Sequence, residues 1–372
     1  MVAGEASGDL LAGLLLKGLH ERWPALQAAG IGGPRMAEQG FDAWWSNERL
    51  AVFGYVDALG RLPELLRIRR LLAERLIDER PAAFIGIDAP DFNFGLETRL
   101  RQAGIKTVHF VCPSIWAWRG HRVLKLARAA DHVLCLFPFE PALLKQHGIA
   151  ATYVGHPLAD AIPFVPPREA ARAELGFAAT DQVVALLPGS RKREIAQIAP
   201  RMAAAAAMMH GQRPHLVFVL PVASGLRAAV QSALSRHAPD VPITLIEGGS
   251  HRALAACDVT LVASGTATLE AALMKRPMVI TYHLAWLDWQ RMKRMSYQPW
   301  FGLPNILSRE FIVPELIQDA ATPAAMARET LAWLDDSART RRVQLRFDSL
   351  HHQLRQDTAQ LATDAIAQVI QA

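Results

Sequence analysis

Four polar clusters in this chain have residue types and spacings that do chemistry. The first is Ser264-Gly265-Thr266-Ala267-Thr268, with Glu270 just behind it. Small residues and hydroxyls at a helix start bind phosphate, because the first-turn amides have no acceptor inside the helix and the helix dipole adds positive charge there. Gly265 lets backbone approach a ligand, and the hydroxyls of Ser264, Thr266 and Thr268 can bond phosphate oxygens. Glu270, expected in the first helical turn, would accept from two vicinal ribose hydroxyls. An ordinary capped helix would use the same residues, with Glu270 complementing its own dipole. The second cluster is Gly189-Ser190-Arg191 with Lys192 and Arg193, where Arg191 could form two parallel bonds to a diphosphate. Its glycine spacing fits neither the nucleotide P-loop nor the dinucleotide fingerprint. The third is Asp88 and Asp91 in Asp88-Ala89-Pro90-Asp91-Phe92-Asn93. A carboxylate at a strand end can be aimed at a substrate hydroxyl as a base, while helix capping would occupy at most one of the two. The fourth is Glu5, Ser7 and Asp9 in a Gly/Ser turn, where a plain cap at Ser7 or Asp9 is the alternative.

The elements that position these groups follow from the apolar runs. Thr260–Ala263 and Met278–Tyr282 flank the first cluster. Gln182–Leu187 precedes the second, and Ala82–Asp88 carries the third. Only two or three residues precede the fourth, so the first strand reads as short and the true start is expected upstream. Further strands are expected at Ala28–Gly33, Lys106–Val111, Asp131–Phe137, Ala151–Val154, Leu216–Pro221 and Ile243–Glu247, alternating with helical patterns. That alternation specifies α/β architecture with parallel, doubly wound sheets. In such sheets ligands bind at the carboxyl ends of the strands, which is where all four clusters fall.

At 372 residues the chain exceeds one core, and two domains are expected. Prolines 163, 166 and 167 mark a linker. We place domains at 1–160 and 161–345, with a helical tail over 346–372 returning to the first. A hydrophobic content of 51% excludes disorder. Cys112, Cys135 and Cys257 lack metal-ligand spacing and suit a reducing cytosol. No run of about 18 apolar residues is present to span a bilayer, and no signal peptide is visible. The net charge of +5 fits anionic lipid, nucleotide or nucleic acid without choosing among them.

One stretch reads as a surface element. Trp44, Trp45, Phe53 and Tyr55 precede a helical pattern from Val56 to Ile68, with Leu59, Leu62, Leu65 and Leu66 set among Arg61, Arg67, Arg69 and Arg70. A basic amphipathic helix beside aromatic residues suits a membrane surface, and a core-facing helix with a solvated arginine face uses the same pattern. Trp116 and Trp118 suit either a substrate cleft or internal packing.

Seven motifs, in order, carry a family resemblance: GEASGD (Gly4–Asp9), GIDAPDFN (Gly86–Asn93), PSIWAWR (Pro113–Arg119), GHP (Gly155–Pro157), LLPGSR (Leu186–Arg191), ASGTATLE (Ala263–Glu270) and LPN (Leu303–Asn305). Together they resemble the lipid-A-disaccharide synthases, glycosyltransferases of the GT-B type with two Rossmann-like domains facing across a cleft. The resemblance implies a UDP-linked 2,3-diacylglucosamine donor and a 2,3-diacylglucosamine 1-phosphate acceptor. They would be joined with inversion into a β-1,6-linked disaccharide 1-phosphate, without metal or other cofactor. It implies Asp88 as base with Glu5 and Asp91 in reserve, and diphosphate held by Gly189, Ser190, Arg191 and Ser264–Thr268. Ser7, Asp9, Asn93 and Asn305 enter as motif residues only. It favours membrane contact through Val56, Leu59, Leu62, Leu65 and Leu66 on the cytosolic leaflet of the inner membrane, allows a homodimer, and gives no nucleic-acid role. The rivals are another UDP-sugar enzyme of this architecture, such as a peptidoglycan transferase or an epimerase, and a non-catalytic UDP-binding protein.

Overall fold

A computed structural model of the chain describes residues 1–50, 55–117, 120–295 and 297–371, without the side chains of residues 6, 55–59, 287, 288, 291 and 294. Phe53, Trp118 and Arg119, and the side chains of Tyr55, Val56 and Leu59, therefore lie outside the described part. Two compact units form: Met1–Asp160 with Gln353–Ala372, and Ala161–His352.

The first unit holds a seven-stranded sheet of β1 (Val2–Ala3), β2 (Ala29–Gly32), β3 (Asp42–Ser46), β4 (Phe84–Ile87), β5 (Thr107–Phe110), β6 (His132–Cys135) and β7 (Ala151–Tyr153). Its order is β3-β2-β1-β4-β5-β6-β7, and every pairing is parallel. Parallel neighbours need crossovers, which the intervening helices supply on both faces. That is why β4 and β5 are buried at every position. β3 was not expected: two bulky tryptophans on a half-exposed edge do not show a strand alternation. The last helix, Thr358–Gln371, packs on the first, Ala6–Arg22, through Ala362, Ala365 and Ile366 against Leu15, Leu16 and Leu19.

The helix Tyr55–Glu79 runs well past the expected end at Ile68 and carries Pro63 inside it. Its second half belongs to the core, where Ile68, Leu72, Ala73 and Leu76 are buried. Its first half does not. Leu62 and Leu66 are 46% and 45% exposed, while Leu65 is partly buried. The three leucines read as one face in the sequence, yet the core takes Leu65's side and leaves the i, i+4 pair outward.

The second unit holds a six-stranded parallel sheet, β8 (Val183–Leu187), β9 (Val217–Val222), β10 (Ile243–Glu247), β11 (Val259–Ala263), β12 (Met278–Tyr282) and β13 (Glu315–Ile317), in the order β10-β9-β8-β11-β12-β13. Here too the order runs both ways from the first strand. Among the described residues no helix is long and apolar enough to cross a membrane.

Candidate active site

In the second unit, β8 and β11 are central and adjacent, so the turns leaving them open side by side. They border a cavity of 480 Å³ lined by Gly189, Ser190, Arg191, Glu194, Ser264–Ala267 and Glu270. That volume suits a small ligand. The turn after β11 is held rigidly. Gly265 caps the helix Thr266–Leu273 at φ 156°, ψ −165°, a backbone region open essentially to glycine alone. The amides of Gly265, Thr266 and Ala267 make no hydrogen bond among the described residues, and they stand at the cavity wall.

The hydroxyls of this turn divide. Ser264 Oγ donates to the Phe301 carbonyl at 3.0 Å. Thr268 is fully buried; its Oγ1 donates to the Gly265 carbonyl at 2.8 Å and accepts from the Leu303 amide at 3.3 Å. Thr268 therefore builds the turn and does not line the cavity, and Thr266 is the hydroxyl-bearing lining residue whose bonds are not spent internally. The LPN motif serves the same scaffold. Asn305 is buried, donates to the Val313 carbonyl at 2.9 Å and Glu315 at 2.8 Å, and accepts from the amides of Ile312 and Val313. All its bonding capacity goes into that loop. Glu270 lies in the second helical turn, since the helix starts at Thr266, and its carboxylate meets His251 Nε2 at 3.1 Å. That bond raises the His251 pKa above the ordinary 6.5 against the opposing effect of burial.

The turn after β8 differs. Glu194 folds back so that Oε2 accepts from the amides of Ser190 at 3.0 Å and Arg191 at 3.3 Å, and Arg191 Nη1 lies 3.7 Å from its Oε1. Gly189, at φ 111°, makes room: a Cβ there would stand 2.5 Å from Glu194 Oε2. The two glycine turns look equivalent in sequence, yet the amides of this one are already occupied by a carboxylate. What it offers a diphosphate is the Arg191 guanidinium, 60% exposed.

In the first unit, β4 ends at Asp88. Asp88 and Ala89 both have left-handed backbones, φ 48° and 43°, and each such non-glycine residue costs about 1–3 kcal/mol. The surroundings enforce this. The Asp88 amide donates to the Phe110 carbonyl at 2.9 Å, and Asn93 Nδ2 donates to the Asp88 carbonyl at 2.8 Å. Gly4 lets the neighbouring turn close on Ala89, whose Cβ would stand 2.8 Å from a Cβ at Gly4. The result lifts the Asp88 carboxyl off the strand end. Burial raises its pKa above the usual carboxylate range, with His109, the Ala89 amide and Arg122 pulling the other way. Asp91 is 86% exposed and held by Arg122 Nη2 at 2.7 and 2.9 Å.

Asp9 is buried and neither caps its own helix nor faces a ligand. Its carboxylate accepts from the amides of Gly33 at 2.8 Å, Arg35 at 3.0 Å and Met36 at 3.2 Å, fixing the turn after β2. Glu5 and Ser7 are exposed at the start of the helix Ala6–Arg22. Trp116 packs edge-on to Phe137 and Phe139 and donates to buried Glu140 at 3.0 Å.

A family model described as Lipid-A-disaccharide synthetase matches residues 1–370. The chain belongs to this family. It is 58% identical to a lipid-A-disaccharide synthase of Verminephrobacter eiseniae, over all of this chain and 96% of that protein. It is 56% identical to one of Albidiferax ferrireducens, over all of this chain and 97% of that one. Among solved structures, UDP-GlcNAc 2-epimerase from Neisseria meningitidis bound to UDP-GlcNAc aligns with TM-score 0.65 at 11% identity, covering 97% of this chain and 96% of that one. WaaG, a glycosyltransferase involved in lipopolysaccharide biosynthesis, aligns at 0.59 and 12% identity, covering 98% and 97%. At such identities these two carry the fold alone, two parallel α/β sheets of the kind found in GT-B glycosyltransferases and epimerases.

This member of the lipid-A-disaccharide synthetase family is a glycosyltransferase that forms the lipid A disaccharide. Two polar groups of its sites escaped the sequence reading. Glu194 was legible as a carboxylate three residues into a helix, the far half of a capping box. His251 carries no motif at all and becomes visible only when the helix Ser250–Ala256 sets it against Glu270.

Proposed function

We propose that this chain transfers a 2,3-diacylglucosaminyl group from UDP to the 6-hydroxyl of 2,3-diacylglucosamine 1-phosphate in one inverting displacement. Family membership over residues 1–370 is the observation that carries this. The acceptor oxygen attacks the anomeric carbon as the carbon–phosphate oxygen bond breaks. The hydroxyl proton passes to Asp88, and UDP leaves with the bonding pair. Asp88 suits the base because its carboxyl sits at a fixed strand end with a pKa moved towards neutrality, where proton transfer is efficient. Asp91 suits it less, being tied to Arg122.

The developing diphosphate charge is met by the amides of Gly265, Thr266 and Ala267, the helix dipole and Arg191. These groups are fixed before the reaction starts, which is what lowers the barrier. Glu270, oriented by His251, accepts from the ribose hydroxyls. Acyl chains require a lipid surface, and the exposed Leu62 and Leu66 beside Arg61 and Arg67 supply one face for the cytosolic leaflet. A homodimer is compatible with this scheme and is not required by it.

Asp88→Asn should lower kcat by about 10²–10⁴-fold with UDP affinity unchanged. Turnover of the diacylated pair followed by chromatography, with calorimetric UDP binding, measures both. Wild-type kcat in Asp88→Asn removes the base, and efficient use of unacylated UDP-N-acetylglucosamine removes the substrate assignment.

A further inference from the structure

The Asp88 site has a floor that the reaction above leaves unused. Gly86, two residues before Asp88 on β4 and on the same sheet side, is in register with His109 on β5. The helix Pro90–Gln102 lowers two polar side chains onto Gly86: a Cβ there would stand 2.1 Å from Glu97 Oε1 and 3.1 Å from Asn93 Cγ. Glu97 Oε1 meets His109 Nδ1 at 2.7 Å, and both side chains are wholly buried. Asn93 joins the cluster to the site through its 2.8 Å bond to the Asp88 carbonyl. Three buried atoms of the cluster, Asn93 Oδ1, Glu97 Oε2 and His109 Nε2, have no hydrogen-bond partner.

Such a cluster is an expensive way to hold a helix on a sheet. Burying a carboxylate costs several kcal/mol, and apolar residues of the same volume are commonly as stable. We propose that Glu97 and His109 are a positioning dyad for Asp88: Glu97 orients the imidazole, and the imidazole fixes the charge and direction of the Asp88 carboxylate. This rests on the reading of Asp88 as the base. Neither dyad member touches substrate, since both are sealed beneath the strand end.

The charges around Asp88 make the case specific. His109 acts on it from β5, and Arg122 from the helix Arg122–Ala129. Arg122 is shared with Asp91 in a bidentate pair, and its effect on Asp88 is smaller than that of His109. Glu97 opposes both from the helix above, with its near oxygen on the ring. The Phe94 ring closes the remaining side of His109, with centroids 5.0 Å apart. Removing the imidazole therefore takes away the cation that most favours ionised Asp88.

The test is the pH dependence of kcat/KM for His109→Asn and His109→Gln in the full chain, with the diacylated pair in detergent micelles. A base must be ionised, so activity falls as pH drops through its pKa. With the imidazole gone, that acid limb should move to higher pH by about one unit, a roughly tenfold loss below the limb, with UDP affinity unchanged. Lower kcat with an unmoved limb overturns the dyad, and unfolding of both variants assigns the pair to the core and overturns it too. Asp88→Asn separates this from the parent reading. If that variant is slow while the limb of His109→Asn stays put, only the dyad fails; if it keeps wild-type kcat, the base itself fails.

Discussion

Gly265→Ala isolates the contribution of backbone direction to donor binding. A Cβ at Gly265 meets nothing within 4 Å, so the substitution adds no clash. What it adds is torsional cost, because φ 156° with ψ −165° is closed to alanine. That cost is about 1–3 kcal/mol. The turn can pay it in place, lowering stability by that amount, or relax by rotating about Gly265. Relaxation is the easier route, since the flanking anchors, Ser264 to Phe301 and Thr268 to Leu303, are side-chain bonds that tolerate small shifts. Rotation would swing the amides of Gly265, Thr266 and Ala267 off the cavity wall. UDP affinity should then fall by about 5- to 150-fold, the equivalent of 1–3 kcal/mol. Isothermal calorimetry with UDP reads the affinity, and a urea melt of the same sample reads stability. Wild-type affinity together with wild-type stability would mean that the strained turn does not aim the amides that hold the diphosphate, and the anion-hole assignment would be withdrawn.

Two further outcomes are expected. Leu62→Ser with Leu66→Ser should abolish sedimentation with anionic vesicles while leaving the melting transition within a few degrees of wild type, because both side chains are already nearly half exposed; a large loss of stability would mean that they belong to the core. His251→Ala should weaken UDP binding severalfold and flatten its pH dependence. The His251 pKa is raised in the folded protein by its bond to Glu270, so the charged pair is fully present below 6.5 and is lost as pH rises through the higher folded value. Wild-type UDP affinity should therefore decline over that interval; parallel profiles in the two proteins would show that His251 does not orient Glu270. With His251 nearly half exposed, the effect stays modest.

Much of the fold is written locally. β4 and β11 are continuous apolar runs that end at Asp88 and Ser264, and a run of that length bounded by turn residues is recognisable without its neighbours. β3 and β13 were illegible because an edge strand is specified by the partner that pairs with it, not by its own pattern. The helix Tyr55–Glu79 was recognised but cut short, since its second half is told from its first only by which side chains the sheet covers.

The sites divide along the same line. The sequence by itself determined the two glycine turns, the carboxylates at a strand end and the order of seven motifs, because these depend on neighbours along the chain. Tertiary structure alone decided how each polar group is spent. Asp9 goes to three amides of another turn, Thr268 and Asn305 go to scaffolding, and Glu194 goes to the amides that looked free for phosphate. It also brought His251 to Glu270 and His109 to Glu97 across 19 and 12 residues. A hydrogen bond is satisfied by whatever lies within about 3 Å, and that distance is set by packing between elements rather than by spacing along the sequence.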